Sequence, residues 1–372
     1  MSTHTSNQQV DALQLHNVET KGGTIASLSA IRWLTSLSVL GLFSVLIGVG
    51  CLTVGAQPIS FETVLQIVGM VLQEGRVDHE SAGVSGVILL QVRFPRIVLA
   101  FLVGGSLAAV GVGLQALLRN PLAEPYVLGI SSGAAFGATL GILFGIGGTV
   151  MGLSALPVWA FLGGLLSILV VYRISVTYRM LSVHTLLLAG VILNALFSAL
   201  IMFAISIADP SRAFKMMMWL MGTLNAPEYS TLLWLGVFLG VGVFLLFWLA
   251  RPLNILTMGE ETARALGVEI ERVKKLIFVV AALMTGAVVS IAGLIGFVGM
   301  VVPHTVRMIV GADHRLLLPA STLVGGMFLM VADTVARTVL APTELPVGVV
   351  TALVGGPIFL YLLMKRRAGV AL

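Results

Sequence analysis

The chain has 372 residues, 58% of them hydrophobic and only 10% charged, and its mean hydropathy is +1.06. Soluble domains carry roughly 25% charged residues, so a water-soluble fold is excluded and the membrane is the solvent. The formal charge of +5 and sequence pI near 9.7 do not mark a nucleic-acid binder, because the basic residues fall mostly in short turns between apolar runs.

In lipid only helices or a closed barrel satisfy every backbone N–H and C=O. The apolar stretches run unbroken for about 20 residues without period-two alternation, as helices require. An all-α integral membrane fold with ten spans is therefore expected. Residues 1–30 are polar with Lys21 as their one basic residue, and are read as a cytoplasmic tail. The apolar stretch that follows is too long for a signal peptide and lacks a small-residue cleavage site. Cys51, inside that stretch, is the single cysteine, so no internal disulfide forms and no metal-ligand spacing exists around it.

The spans are expected at 31–55, 93–117, 126–148, 157–178, 183–205, 230–250, 273–295, 297–312, 316–340 and 346–364, within one transmembrane domain of 31–364. The eighth is short and contains Pro303 and His304. Phe61–Leu72 and Phe214–Met221 are too short to cross a bilayer and are expected as surface or re-entrant helices. Residues 365–372 form a basic cytoplasmic C-terminal tail. With both termini inside, only Arg76, Arg93, Arg96, Arg212, Lys215 and Arg337 of the 21 Lys and Arg lie outside, as the positive-inside rule demands.

Gly133, Gly137, Gly141 and Gly145 recur every four residues along the third span, and Gly105, Ala109 and Gly113 along the second. Small residues at this spacing let helix backbones approach closely, the main route to helix association in lipid; a glycine-lined permeation path is the alternative. Arg93-Phe94-Pro95-Arg96 is expected to open the second span, with Pro95 in a first turn where its missing N–H costs nothing. Two arginines there oppose the helix dipole. Either an acidic partner outside rewards them, or they snorkel to headgroups.

Thr257–Gly267 reads as a short amphipathic helix on the cytoplasmic face. Glu260 and Glu261 suit its N-terminus, Glu260 and Arg264 are spaced for an i,i+4 pair, and Gly267 stops it. Ala263 and Gly267 would give a small-residue face for docking a cytosolic protein; a solvated connector is the plainer account. Asp333 and Arg337 are spaced for a local ion pair near the outer end of the ninth span, although an intramembrane acid is also a functional candidate. The methionines 216–218 with Trp219 fit an interfacial apolar face better than a thioether path for a soft metal. No phosphate loop of the form G-x-x-x-x-G-K-[ST] and no H-E-x-x-H occurs.

Together these segments resemble the permease family of type II ABC importers for iron–siderophore complexes, haem and cobalamin. The matching stretches are Arg93-Phe94-Pro95-Arg96; Gly104 to Gly133 with Gln115 and Arg119-Asn120-Pro121-Leu122-Ala123-Glu124-Pro125; Gly259–Gly267; Gly296 to His304; Asp313-His314-Arg315; Ala332 to Arg337; and Glu344-Leu345-Pro346-Val347-Gly348. They cover roughly residues 31–364 in the family's order. The resemblance implies a homodimer with the pathway at its two-fold axis, two cytosolic ATPase subunits that bind ATP and Mg, and a periplasmic or lipid-anchored binding protein, in the bacterial inner membrane. It implies no catalysis and no bound cofactor in this chain. Arg93, Arg96 and Arg337 match arginines that pair with glutamates of the binding protein. Gly259, Glu260, Glu261, Ala263, Arg264, Leu266 and Gly267 match the coupling helix seated in the ATPase. Asn120 and Leu122 match an inner gate, and Val183 and His184 its second part, although they replace the small polar residues of some cobalamin permeases. Iron chelates, haem included, rank first as cargo and cobalamin second. A secondary transporter would want a mid-span ionisable residue and an internal repeat, and an intramembrane enzyme clustered His, Asp or Ser; neither pattern is found.

Overall fold

A backbone surrounded by lipid must close its own hydrogen bonds, and in the computed structural model each of the ten expected spans is helical. The structure describes residues 30–55, 57–74, 79–146, 148–150, 153–178 and 180–367. The polar N-terminal tail to residue 29, Arg76 and the end of the C-terminal tail (368–372) lie outside the described residues.

In chain order the helices are α1 (Ala30–Thr53), α2 (Phe61–Glu74), α3 (His79–Val87), a π turn (Ile88–Arg93) and α4 (Phe94–Leu117). There follow a 3-10 turn (Pro125–Leu128), α5 (Ile130–Leu143), α6 (Ala155–Ser175), α7 (Val183–Ile207), α8 (Pro210–Leu220) and α9 (Tyr229–Trp248). Last come α10 (Ala250–Thr257), α11 (Glu260–Ala265), α12 (Ile270–Ala292), α13 (Val298–Val310), α14 (His314–Ala336) and α15 (Val347–Arg367). Two small hairpins pair β1 (Thr149–Val150) with β2 (Leu153–Ser154) and β3 (Val176–Thr177) with β4 (Met180–Leu181). Seven described helices are long and apolar enough to cross a membrane by length and composition. The half-length helices α2 and α8 stand where the sequence places them, and α15 runs to Arg367, past the expected end at 364.

Three departures from the expected spans have physical causes. The second span does not open at Arg93: helix runs through the π turn into α4, and the Phe94 amide donates five residues back to Leu89 O. A π turn there absorbs the bond that Pro95 cannot make. Helix α5 is short because the chain reaches it through the 3-10 turn and Gly129 at φ +77. Helix α13 is short because the backbone turns through positive φ at Gly293 and Phe297. Unwound backbone is tolerated at such depth only where protein covers it. Here Thr223 N–H donates to Ala292 O at 3.0 Å and Gly348 N–H to Gly222 O at 3.4 Å.

Helix α4 is the most enclosed: Pro95 to Leu117 are buried apart from a few positions, and it packs against α14, α12, α13 and α9. Glycine makes that possible by close approach. A Cβ on Gly111 would run into the Gly299 carbonyl, one on Gly104 into the Gly325 carbonyl, and one on Gly325 would sit 2.5 Å from Ala108 Cβ. The third-span stripe does the same against α6: a Cβ on Gly133 would meet Ser167 Cβ at 2.5 Å, and one on Gly137 the Trp159 carbonyl. Packing is thus the role of Gly133 and Gly137, as the spacing suggested.

Overpacking a tight core costs about 1–3 kcal/mol and more where backbone must move. Gly111→Leu should therefore lower the thermal midpoint in detergent sharply or abolish a monodisperse peak on gel filtration. Gly240→Leu on α9, where a Cβ meets nothing within 4 Å, should leave both unchanged.

Candidate functional site

Charged groups gather at the two ends of α4. At its start Arg93, Arg96 and Arg337 line a recess of about 280 Å³ with Gly55, Gln57 and Glu344. All three arginines are nearly enclosed, being 3%, 9% and 7% exposed. The Arg96 guanidinium is held by carboxylates: Nε donates to both oxygens of Asp333 at 3.0 Å, Nη2 lies 2.9 Å from Asp333, and Nη1 is 2.8 Å from Glu344. Arg337 reaches Asp333 only at 3.9 Å and donates instead to Cys51 O at 2.7 Å and Thr334 Oγ1 at 3.2 Å. The local pair expected between Asp333 and Arg337 is thus secondary, and Arg96 is the close partner of Asp333. Among the described residues Arg93 donates to backbone carbonyls alone: Leu52 at 2.7 Å, Thr53 at 3.5 Å, and Gln57. Three guanidiniums thus face two carboxylates, and the recess keeps a positive surplus.

Two earlier expectations change here. Arg93 and Arg96 do not crowd a helix N-terminus, since helix continues behind them, so the dipole penalty is absent. Nor do they snorkel, because their forks are spent inside the protein.

Beyond the other end of α4 a cavity of about 510 Å³ opens between two turns. One turn carries Arg119 (φ +47), Asn120 and Leu122; the Asn120 carboxamide accepts the Leu122 N–H at 3.0 Å and fixes its shape. The other is the β3–β4 hairpin leading into α7, where Ser182 caps the helix by accepting the Thr185 N–H at 3.3 Å. Arg119, Ser182, Val183 and His184 line the cavity together with Glu260, Glu271 and Lys274. Of the expected gate residues, Val183 and His184 line this space, whereas Asn120 and Leu122 do not, their turn reaching it through Arg119.

Helix α11 closes this end. Gly267, at φ +79, stops it with a Schellman pair: Gly267 N–H donates to Arg264 O at 3.1 Å and Val268 N–H to Ala263 O at 3.0 Å. Ala263 is fully buried in a small core with Leu256, Ile270 and Val268, so it faces inward and not toward a docking partner. The outward face carries Met258 and Leu266, 64% and 61% exposed, with Glu261, Arg264 and Gly267. Glu260 does not pair with Arg264; it turns inward to Lys274 Nζ at 2.7 Å and Arg119 Nη2 at 3.7 Å. No local spacing points to Lys274, which lies on a different helix.

Nearby, the Asn254 amide donates to Asp313 at 2.8 Å and its Oδ1 accepts the His314 N–H at 2.9 Å, tying α10 to the start of α14. Burial acts to raise the Asp313 carboxyl, but hydrogen bonds from Arg315 and Asn254 hold it down at about 2. A depressed carboxylate stabilises above its unfolded value and loses that contribution as pH falls, here from about 4 toward 2.

A family model described as the FecCD transport family matches residues 40–365. The chain is 45% identical over 282 residues to a cobalamin import system permease, BtuC, of Halobacterium salinarum, covering 76% of this chain and 74% of that one. It is 41% identical over 281 residues to the hemin transport system permease HmuU of Yersinia pestis, covering 75% and 84%. A solved structure described as a metal-chelate type ABC transporter in an inward-facing conformation superposes with TM-score 0.75 at 34% identity, covering 90% of this chain and 99% of that one.

Removing one member of a buried ion pair costs about 3–5 kcal/mol. Asp333→Asn should therefore lower the thermal midpoint well beyond Glu344→Gln, since Asp333 is fully enclosed and Glu344 is 54% exposed. Equal shifts would show that Arg96 does not depend on Asp333.

Proposed function

The chain belongs to the FecCD transport family as a membrane-spanning permease, and on that premise we propose that it forms the translocation path of an ABC importer for an iron chelate, a siderophore complex or haem. The observation that carries this reading is the pairing of two sites on one buried helix: a cationic recess at the start of α4, and at its end a cavity bordered by a short helix with an exposed apolar tip. No chemistry on the chain is required. Cargo moves by alternating access, as rigid segments tilt about a path formed between two copies.

Each component has its place in this reading. Two cytosolic ATPase subunits, with ATP and Mg, receive α11 through Met258, Glu261, Leu266 and Gly267. A periplasmic or lipid-anchored binding protein brings carboxylates to the recess, where the net positive charge to which Arg93 contributes attracts them through space, while its fork stays on the Leu52 and Gln57 carbonyls. The excess of Lys and Arg in the segments placed inside supports a bacterial inner-membrane topology with both termini cytoplasmic. A cobalamin path is the second reading, favoured by the identity with the Halobacterium permease.

Purified alone, the chain should hydrolyse no ATP, since it lacks a phosphate loop. With its ATPase, hydrolysis should rise when the binding protein is loaded with a ferric siderophore or haem. Stimulation by cobalamin alone would transfer the chain to the second reading, and hydrolysis by the lone chain would defeat the proposal.

Arg93→Gln should weaken binding-protein affinity and flatten its salt dependence, while the ATPase still co-purifies. Arg93 is the variant of choice, because changing Arg96 strands Asp333. Wild-type affinity in surface plasmon resonance at two salt concentrations would remove Arg93 from the docking surface.

A further inference from the structure

Lys274 stands on the first turns of α12 with a side chain only 5% exposed. A buried ammonium must be paired, and this one has three protons to place. It meets Glu260 Oε1 at 2.7 Å and Glu271 Oε1 at 3.4 Å. Each carboxylate then reaches a further segment. Glu260 Oε1 lies 3.7 Å from Arg119 Nη2 on the turn after α4, and Glu271 Oε2 accepts the Leu181 N–H of the β3–β4 hairpin at 2.7 Å. Helix α11 and both cavity turns, far apart in sequence, thus converge on one ammonium that lines the cavity between them.

We propose that Lys274 is a positioning residue that makes the seat of α11 and the observed arrangement of the two cavity turns a single electrostatic state; this rests on the importer reading above. While α11 is seated, Glu260 holds Lys274 and Arg119 at once, and Lys274 leaves Glu271 in place to anchor Leu181. Drawing α11 away by a side-chain length removes the carboxylate shared by two cations. Arg119 is released, and the ammonium swings wholly to Glu271, whose hold on Leu181 N–H is weakened. Both turns then loosen together. Val183 and His184, next to Leu181, move with the hairpin, and Asn120 and Leu122 move with Arg119.

The test uses the complete complex in proteoliposomes, with the permease, its ATPase and its binding protein. Cys51→Ala removes the only thiol, and His184→Cys then reports cavity opening by its rate of maleimide labelling with and without ATP. In the Lys274-intact protein the labelling rate should depend on ATP. Lys274→Met should abolish that dependence and lower cargo moved per ATP hydrolysed by at least about fivefold, the lower end of ordinary coupling between sites. Lys274→Arg, which keeps the positive charge between the two carboxylates, should retain most of the ATP dependence and transport ratio that Lys274→Met loses, an outcome that loss of folding cannot mimic. Glu260→Gln, on a side chain 35% exposed, probes the same link from the other side and should uncouple in the same direction. ATP-dependent labelling and an unaltered transport ratio in both Lys274→Met and Glu260→Gln would overturn the proposal. Absence of ATP-driven transport in the Lys274-intact complex would instead defeat the importer reading itself.

Discussion

The structure depends on how closely neighbouring backbones can approach α4. Lipid tails are as apolar as leucine, so burying apolar surface does not by itself drive helices together, and van der Waals contact between backbones has to supply the attraction. Gly104 and Gly111 bring α4 against the carbonyls of Gly325 on α14 and Gly299 on α13. At 24 residues α4 is about 36 Å long at 1.5 Å per residue, roughly the thickness of a bilayer core. A rod this well clamped has two ends that cannot move independently of the core.

Those ends carry the charges, and the two sets are built differently. At the recess the pairs are intramolecular and nearly enclosed: Arg96 is neutralised by Asp333 and Glu344, and Arg337 is bound largely by backbone and hydroxyl oxygens. Such groups are held because stranding any of them is costly, and the set keeps one net positive charge. At the cavity the pairs join separate segments through partly exposed carboxylates, with Glu260 35% and Glu271 27% exposed. Exposed carboxylates can exchange partners at less cost, so the pairs at the recess are the more fixed of the two sets.

Much of this was legible in the sequence because one-dimensional signals suffice for it. Unbroken apolar runs located ten helices, glycine spacing located the tight contact of Gly133 and Gly137 against α6, and Gly267 marked the end of α11; on α4 the closest approaches fall at Gly104 and Gly111, outside the Gly105, Ala109 and Gly113 stripe. What stayed hidden was pairing across sequence distance. Arg96 and Asp333 are 237 residues apart, and nothing in either motif distinguishes Arg96 from Arg337 as the closer partner. Glu260 was given the wrong partner for the same reason: Arg264 has the right spacing on an ideal helix, but α11 is six residues long and Lys274 is buried where Glu260 can reach it. Pro95 misled in another way. A proline suits the first turn of a helix, whereas a π turn upstream carries helix straight through it. Ala263 looked like part of a docking face because small residues suit both interfaces and cores; only burial decides between them.

The central claim is that this chain is a path operated by a separate ATPase. Its most direct test is uptake of a ferric chelate into proteoliposomes holding the permease, its ATPase and the binding protein, followed with a protonophore present. The account predicts accumulation that requires ATP on the ATPase side and a loaded binding protein on the other, and that survives collapse of the proton gradient. Uptake that ignores ATP and ceases with the gradient would contradict it.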